Sequence, residues 1–348
     1  MLTSDRQLEH LNRVSRSFAL TIPLLPLPLA DWVGNAYLLC RIADTLEDAP
    51  ELDIAEKKRL MSLFLAGFEN PDVAFDLPAI FSSQLAAQIP DVELLLLQDT
   101  ADVLARMRTF PSSVQQILHR AILIMSEGMS VQQDLRVNEQ IDLDRYCYAV
   151  AGVVGELLYF LFAEQVSSIR AKQSRMLPLA LSFGLGLQLT NILKDIWDDA
   201  SRGVCWVPDA YLQAAGISRE QFLQGDLNAS EQDATLSPLL ALGAGHLDDA
   251  LRFTLDIPSD AKGIRQFCLW AIALAWLTLT KISGNPEFRS VNDVKISRRE
   301  VKQAIMLCRV LGWSNSLTRL YFAWLGRKLP RLSRSPQLLH QTLSRWVK

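Results

Sequence analysis

The sequence is poor in the residues that break helices and separate domains. Its 348 residues include 16 glycines and 15 prolines, and no Gly/Ser/Pro-rich linker divides the chain. Only five cysteines occur, scattered and without a CxxC pair, and the chain starts without a charged-then-apolar signal peptide. These absences predict one domain spanning residues 1–348 and a cytoplasmic location.

Several catalytic templates are missing as well. The four histidines are too dispersed for a zinc site, and the sequence has neither a GxSxG motif nor a Walker loop. Gly184-Leu-Gly186 lies inside a helical pattern with no preceding strand, so it is not a Rossmann fingerprint. The longest apolar run, Phe267 to Leu279, is too short to cross a bilayer and is stopped by Lys281, which indicates a buried core helix.

What the sequence does contain is helical periodicity, nearly from end to end. Hydrophobic residues make up 49% of the chain, and no alternating strand pattern of any length appears. The pattern predicts an all-α protein of about ten to twelve helices. Asp31 is the predicted N-cap of a helix that Pro50 closes. Further helices are predicted at 91–109, 113–133, 142–166, 174–199, 236–256, 259–282, 297–312 and 314–327.

Two pairs of aspartates, each within a strongly apolar helical stretch, carry most of the functional information. Asp44 and Asp48 form one pair, and Asp195 and Asp199 form the other. Carboxylates four positions apart lie on one face of a helix, and in stretches this apolar we expect them to be buried, at a cost of several kcal/mol per charge. Oxygen ligands without His or Cys suit Mg²⁺, which is typically shared with substrate phosphates. The pairs therefore predict binding of Mg²⁺ and a diphosphate.

Residues near the aspartates fit this chemistry, although each has an ordinary structural explanation. Arg41 precedes Asp44 by three residues, so it either holds diphosphate oxygens or pairs with the carboxylates. Segment 15–18 offers two hydroxyls, a guanidinium and an aromatic ring, or is a helix-capping sequence. Tyr146 and Tyr148 fit either a site or the core.

A stripe of polar residues also runs along the otherwise apolar helix predicted at 174–199. Its members are spaced by 3, 3, 1 and 4 positions and fall mostly on one face; they are Gln188, Asn191, Lys194, Asp195 and Asp199. Either they line a binding site, or they form a buried structural network.

Basic residues concentrate at the C-terminal end of the chain. From Arg298 to Lys348 the sequence has eleven Lys or Arg and one acid, Glu300, so this part carries +10 while the net charge of the chain is −3. Aromatic and apolar residues interleave with the charges. Either the basic amphipathic tail, residues 328–348, binds an anionic membrane surface, or a final helix docks on an acidic body. No nucleic-acid-binding motif accompanies the charge, so no nucleic acid partner is predicted.

The sequence resembles the squalene and phytoene synthases, which are head-to-head trans-prenyl transferases. Four blocks carry the resemblance, in the order and at separations similar to those of the family: Ser15-Arg16-Ser17-Phe18, Arg41-Ile-Ala-Asp44-Thr-Leu-Glu-Asp48, Tyr146-Cys-Tyr-Ala-Val-Ala-Gly-Val-Val-Gly155 and Gln188-Leu-Thr-Asn191-Ile-Leu-Lys-Asp195-Ile-Trp-Asp-Asp199. Two later segments, Phe267-Cys268 and Val294 to Arg298, look more like the squalene-forming branch.

The resemblance implies an isoprenoid-synthase helical bundle around a central cavity. It implies that Mg²⁺ assists the joining of two molecules of farnesyl diphosphate into presqualene diphosphate, which NADPH then reduces to squalene. The implied Mg²⁺ and diphosphate ligands are Asp44, Asp48, Asp195 and Asp199. The other implied substrate contacts are Ser15, Arg16, Ser17, Phe18, Arg41, Gln188 and Asn191, with Tyr146 near the ionising carbon. The implied cofactor contacts are Asn191, Arg202, Lys295 and Arg298.

The sequence departs from the family in two places, and other activities stay open. Lys194 stands where an arginine is frequent, and Ser297 stands in a segment that is usually more basic. A phytoene or dehydrosqualene synthase would share every aspartate and Tyr146 yet need no reduction. Enzymes that stop at presqualene diphosphate or at an alcohol, and an inactive scaffold of a terpenoid membrane complex, are further alternatives. The basic tail predicts peripheral contact with the inner face of the membrane.

Overall fold

Helices form most of the described backbone. The computed structural model describes residues 2–15, 18–132 and 136–345, and describes only the backbone of residues 129–132. Within these residues 78% of the structure is helical and no strand occurs. The prediction of an all-α protein is confirmed. The described residues form 19 α-helices rather than the ten to twelve expected, because short helices of four to eight residues stand between the long ones.

The chain forms two compact units: Met1–Gln133 with Leu157–Arg170, and Asp134–Glu156 with Ala171–Lys348. The first unit contains α1 Ser4–Val14, α2 Phe18–Thr21, α3 Leu29–Asp48, α4 Ile54–Glu69, α5 Pro71–Leu85, α6 Asp91–Gln98, α7 Thr100–Met107, α8 Ser112–Gln132, most of α10 Val153–Gln165, and α11 Ser167–Arg170. It is centred on α3, which packs against α1, α4, α7 and α8.

Two details of the first unit correct the predicted helix boundaries. Helix α3 begins at Leu29 with Pro28 as its N-cap, so Asp31 is not the cap; its carboxylate instead pairs with Arg106 at 2.5 Å. The helix predicted at 91–109 is two helices, α6 and α7, separated at Asp99. The carboxylate of Asp99 accepts hydrogen bonds from side chains of α1, which holds the break against that helix.

The second unit is built around one long helix, α12 Gln173–Ser201. The other elements are α9 Gln140–Cys147, a π-helical segment Tyr148–Gly152, the first turn of α10, α13 Asp209–Ala214, α14 Arg219–Gln224, α15 Ala229–Asp256, α16 Lys262–Ser283, α17 Arg298–Leu311, α18 Asn315–Leu325 and α19 Pro336–Ser344. Helix α12 packs against α15, α16 and the π-helical segment. Its inward residues are aliphatic, so its burial is driven by apolar surface.

Two glycines allow α12 to approach the preceding helix closely. A Cβ atom on Gly155 would lie 1.9 Å from the Ala180 carbonyl oxygen, and one on Gly184 would lie 2.0 Å from the Ala151 carbonyl oxygen. Any side chain there would collide with backbone, so only glycine permits this contact. The π-helical segment lies beside it and carries Tyr148, whose side chain is 0% exposed and belongs to the core.

Three helices are long and apolar enough to cross a membrane by length and composition: Gln140–Gln165, Gln173–Ser201 and Lys262–Ser283. The last contains the apolar run that the sequence suggested was too short, because the helix continues beyond the run at both ends. In each of the three, most of the apolar stretch is buried within the protein. Burial of this kind matches the predicted core helix around Phe267.

The C-terminal tail docks on its own unit. Helix α19 packs against α12 with Leu339 and Leu343 buried. Nitrogen–oxygen contacts of 2.9, 2.6 and 3.3 Å join Arg331 to Asp248, Arg334 to Asp144, and His340 to Glu156. Burial raises the pKa of Asp144, and Arg334 opposes that shift. In the described part of the tail, basic side chains thus meet acidic groups of the body, as the second of the two predicted alternatives requires.

Candidate active site

The first aspartate pair lies in the last turns of α3. Asp44 is half-buried and Asp48 is exposed, so the expectation of burial is wrong for Asp48. Burial, and then the charge of Asp48, raise the pKa of Asp44 to about 7, although Arg41 acts in the opposite direction. The charged form of Asp44 is therefore costly in the free protein, and a bound cation would relieve that cost.

Arg41 is held on the same face of α3 by a partner that the sequence did not suggest. Its guanidinium forms an ion pair with Glu93 of α6, and the hydroxyl of Thr45 lies 3.5 Å from the other oxygen of that carboxylate. The Nε of Arg41 is buried and has no hydrogen-bond partner within the described residues. Arg41 therefore combines a fixed position with an unused donor next to Asp44.

Glu47 adds a third acid to the first pair. Burial, and then the charge of Asp48, raise the pKa of Glu47. Lys57 acts in the opposite direction, and its ammonium donates to the Glu47 carbonyl at 2.5 Å. The end of α3 is therefore an acidic patch of Asp44, Glu47 and Asp48 with one lysine beside it.

Ser15 and Phe18 lie beside α3. The Ser15 hydroxyl accepts a hydrogen bond from the Phe18 amide at 3.0 Å, which is the capping role offered as the ordinary explanation. The Phe18 ring contacts the ring of Tyr37, with centroids 5.2 Å apart, and the Tyr37 hydroxyl donates to the Val14 carbonyl. Arg16 and Ser17 lie outside the described residues. Tyr37 lies one turn before Arg41 on α3, and both Phe18 and Tyr37 are half-buried.

The second aspartate pair lies near the C-terminal end of α12. Asp195 is 37% exposed, so it is not buried as expected, and it contacts Lys194 at 3.2 Å. Asp199 is 14% exposed and pairs with Arg202, just past the end of the helix. Burial raises the pKa of Asp199, whereas Arg202 and a hydrogen bond with Trp206 lower it. Arg202, predicted as a cofactor contact, is thus an ion-pair partner of a predicted metal ligand.

Tyr146 lies next to this second pair through Trp206. The two rings are stacked, with centroids 3.8 Å apart and an interplanar angle of 16°. Because Trp206 also hydrogen-bonds with Asp199, it joins the predicted catalytic tyrosine to the second aspartate pair. Tyr146 is half-buried, whereas Tyr148 is fully buried in the core.

The polar stripe of α12 is accessible rather than a closed structural network. Gln188 is half-buried and Asn191 is exposed, while the neighbours Leu189, Ile192 and Leu193 are buried. Lys295 and Arg298 are exposed at the start of α17. The 3-10 helix Val291–Val294, directly before Lys295, contacts α12.

Three residues with a bearing on the site escaped the sequence reasoning. Glu47 was inside the first motif, and its acidity was the available signal. Trp206 was visible only as an aromatic residue in the loop after Asp199. Glu93 lies 52 positions from Arg41, and no local pattern connects the two.

The donor set fits Mg²⁺ shared with a ligand better than a closed metal site. Among the described residues no group of three or more His, Cys, Asp or Glu is placed to hold a metal ion. Mg²⁺ is usually bound through one or two carboxylates together with water and substrate phosphates. A pair of carboxylates, one of them with a raised pKa, is what such a site requires.

Comparison with known proteins decides the family. A model described as squalene/phytoene synthase matches residues 11–300. The chain belongs to this family. Its members are head-to-head prenyl transferases, so the protein is a transferase of isoprenoid biosynthesis, as the resemblance implied.

Individual relatives agree with this placement. The chain is 30% identical to squalene synthase of Bos taurus over 325 residues, which cover 92% of this chain and 73% of the relative. A solved structure of TcSQS with the ligand E5700 is 20% identical, with a TM-score of 0.75 over 98% of this chain and 96% of that one. A dehydrosqualene synthase structure is 19% identical, with a TM-score of 0.62 over 87% and 93% of the two chains. These structures confirm the isoprenoid-synthase fold, and both branches of the family share it.

Proposed function

We propose that the protein is a squalene synthase that joins two molecules of farnesyl diphosphate into presqualene diphosphate and reduces this to squalene. The diphosphate role rests on Asp44, which is half-buried and has a raised pKa. Beside it, Arg41 is held in place by Glu93 and has an unused donor. The reductive branch is supported by the squalene synthases among the relatives and by the segments Phe267-Cys268 and Val294 to Arg298.

Asp44, Asp48, Asp195 and Asp199 are the residues that would hold Mg²⁺ with the substrate diphosphates. When bound, the metal neutralises the charge of the departing diphosphate. Arg41 binds diphosphate oxygens through donors that its ion pair with Glu93 leaves available. Lys194, where the family often has arginine, supplies charge at the second pair without the bidentate geometry of a guanidinium.

In this proposal, aromatic residues contact the carbon skeleton of the substrate. An allylic cation needs surroundings that exclude water and nucleophiles, and the rings of Phe18 and Tyr37 offer such a surface. Tyr148 does not, because it is fully buried. Tyr146 is fixed by its stack on Trp206, so its hydroxyl is a candidate acceptor for the proton lost when the cyclopropane ring closes. The released diphosphate is the other candidate.

NADPH is the proposed source of reducing equivalents for the second step. Lys295 and Arg298 are exposed cations at the start of α17, and the chain just before them contacts α12. Arg289 in the same stretch lies over the ring of Trp197, 4.8 Å from its centroid, which fixes this stretch beside the end of α12. Exposed basic residues such as Lys295 and Arg298 fit the phosphates of such a cofactor.

Product analysis tests the proposal. Purified protein is incubated with farnesyl diphosphate and Mg²⁺, with and without NADPH, and the lipids and diphosphates are identified by mass spectrometry. We expect squalene only with NADPH, and presqualene diphosphate without it. An Asp195→Asn variant is the matched control and should yield neither product.

Dehydrosqualene or phytoene synthesis is the second candidate, because the dehydrosqualene synthase structure shares the fold over most of the chain. That reading predicts an unreduced hydrocarbon whether or not NADPH is added. Presqualene diphosphate alone, or an alcohol, in the presence of NADPH would identify an enzyme that stops before reduction. Absence of turnover with any prenyl diphosphate would favour an inactive scaffold.

A further inference from the structure

Helices α17 and α18 expose an unusual amount of apolar surface. Six large apolar side chains on the two helices and the turn between them are 39–68% exposed; these define the α17–α18 face, Met306, Val310, Trp313, Leu317, Leu320 and Trp324. Met306 and Val310 are four positions apart on α17, and Trp313 follows three positions later in the turn; the exposed residues of α18 are three and four positions apart. Each helix therefore presents one apolar stripe to solvent.

The two stripes lie on the outer side of the second unit. Both helices pack on α16 through other residues: Ala304 and Cys308 of α17, and Tyr321 and Phe322 of α18, are buried. The residues of the apolar stripes therefore do not belong to the core of this unit. A contiguous apolar surface of this kind marks an interaction site more often than a neutral surface.

Basic residues flank the stripes, and the one acid of the two helices, Glu300, is paired with Lys281 at 3.2 Å. Lys302 and Arg309 flank the α17 stripe, and Arg319, Arg327 and Lys328 flank the α18 stripe. The sequence from residue 301 to the end contains no Asp or Glu. Tryptophan beside cations, as where Arg327 lies 4.8 Å from the centre of the Trp324 ring, is typical of the boundary between lipid headgroups and acyl chains.

We propose that the α17–α18 face docks on the surface of an anionic lipid bilayer. Charge favours a bilayer over a second copy of the chain, because two such faces would bring their basic residues together, and Glu300, the one acid of α17 and α18, is already paired with Lys281. Lipid acyl chains accept the apolar stripes, and anionic headgroups pair with the basic rim. This surface is independent of the proposed reaction.

The location differs from the membrane contact that the sequence predicts at residues 328–348. In that tail, Arg331 and Arg334 contact Asp248 and Asp144 of the same unit, so they are turned toward the protein. Leu338 is 65% exposed but stands alone on α19 as a large exposed apolar residue among those described. The continuous apolar surface lies on α17 and α18 instead.

Vesicle flotation with the full chain tests the proposal. The probes are vesicles of phosphatidylcholine alone and of phosphatidylcholine with phosphatidylglycerol. Two double variants remove the two features separately: Trp313→Ser with Trp324→Ser, and Lys302→Glu with Arg319→Glu. Phe75→Ser, 77% exposed on α5, and Lys58→Glu on α4 are matched controls for an exposed ring and an exposed cation.

We expect the wild type to float with anionic vesicles, and more weakly at high salt. The tryptophan pair should lower partitioning about tenfold or more. The charge pair should lower it about fivefold per residue on anionic vesicles only. The controls should match the wild type, and turnover of detergent-dispersed substrate should be unchanged in all variants, which separates this inference from the proposed function.

Three results would overturn the proposal. One is wild-type protein that ignores anionic vesicles, and another is double variants that bind as well as the wild type. The third is a wild-type dimer in analytical ultracentrifugation that the tryptophan pair converts to a monomer, because the face would then join two copies. Circular dichroism checks the folding of each variant. If the tryptophan double variant misfolds, the charge double variant, whose two changes are on the surface, still tests the proposal.

Discussion

The ring of Trp206 stacks on the ring of Tyr146, with centroids 3.8 Å apart. This contact joins the loop after α12 to α9, and the indole hydrogen bond with Asp199 extends it to the second aspartate pair. One side chain thus positions both a predicted catalytic residue and a predicted metal ligand. The arrangement makes Trp206 a positioning residue in our account.

Separating the two contacts of Trp206 gives the first prediction. Trp206→Phe keeps a ring against Tyr146 but loses the donor to Asp199, and Trp206→Leu loses both. We expect kcat/KM for farnesyl diphosphate to fall about tenfold in the first variant and about a hundredfold in the second. Trp313→Leu changes an exposed tryptophan in the turn before α18, and it should have no effect on turnover. Equal losses in both Trp206 variants would argue against a role for the stack.

Asp44→Asn should uncouple metal from diphosphate binding. In the wild type, Mg²⁺ and inorganic pyrophosphate together should raise the melting temperature, by an amount equivalent to about 2.7 kcal/mol at a hundredfold excess over Kd. The variant should lose most of this shift and at least about a hundredfold in turnover, while its helicity stays intact. Asp76→Asn, an exposed acid on α5, is the control. A full pyrophosphate shift in Asp44→Asn would remove this residue from the site, and no shift in the wild type would favour a scaffold.

The Arg41–Glu93 ion pair allows the structural role of Arg41 to be separated from its binding role. Arg41→Met leaves Glu93, 16% exposed, without its partner, so we expect destabilisation of about 1 to 3 kcal/mol together with an increase in KM. Adding Glu93→Gln should recover most of the stability. It should not recover KM, because the cation remains absent. Denaturant melts and steady-state kinetics on the same preparations measure both; recovery of KM would show that Arg41 acts only in the fold.

Arg334→Gln should make stability depend on pH. Burial already raises the pKa of Asp144 in the folded protein, and loss of Arg334 raises it further. The folded state then binds more protons than the unfolded state above about pH 4, so stability falls as pH rises through this window. We expect a deficit of about 2 kcal/mol at neutral pH that shrinks toward pH 4.

Urea titrations of wild type and Arg334→Gln across this pH range provide the measurement. Burial, and then Arg334, lower the pKa of His246 to about 3, so His246 should stay neutral in the wild type over most of this pH range. Arg345→Gln, a change at an exposed basic residue of the tail, should leave stability unchanged. A deficit independent of pH would mean that the pair with Asp144 does not anchor the tail.

The features that the sequence predicted are those with a local physical cause. Apolar periodicity predicted the long helices, and the four-residue spacing predicted which aspartates share a face. Proline marked the end of α3 because it cannot continue a helix. Asp31 failed as a predicted cap because α3 begins two residues earlier, at Leu29, and the Asp31 carboxylate pairs with Arg106, 75 positions away.

The rest depended on contacts between distant parts of the chain. The break at Asp99 follows from its hydrogen bonds to α1, and the stack on Tyr146 comes from a residue 60 positions away. Arg41 and Glu93 are brought together only by packing of α3 against α6. Periodicity contains no information on such pairs, so these contacts could not be predicted from the sequence.

Transfer of label from the cofactor shows whether this enzyme carries out the reductive step. Protein is incubated with farnesyl diphosphate, Mg²⁺ and NADPH deuterated at both C4 positions, and the hydrocarbon product is analysed by mass spectrometry. The account predicts squalene that contains one deuterium per molecule, in an amount that follows the NADPH consumed. A C30 hydrocarbon or alcohol without deuterium would contradict the proposal that this enzyme carries out the reductive step.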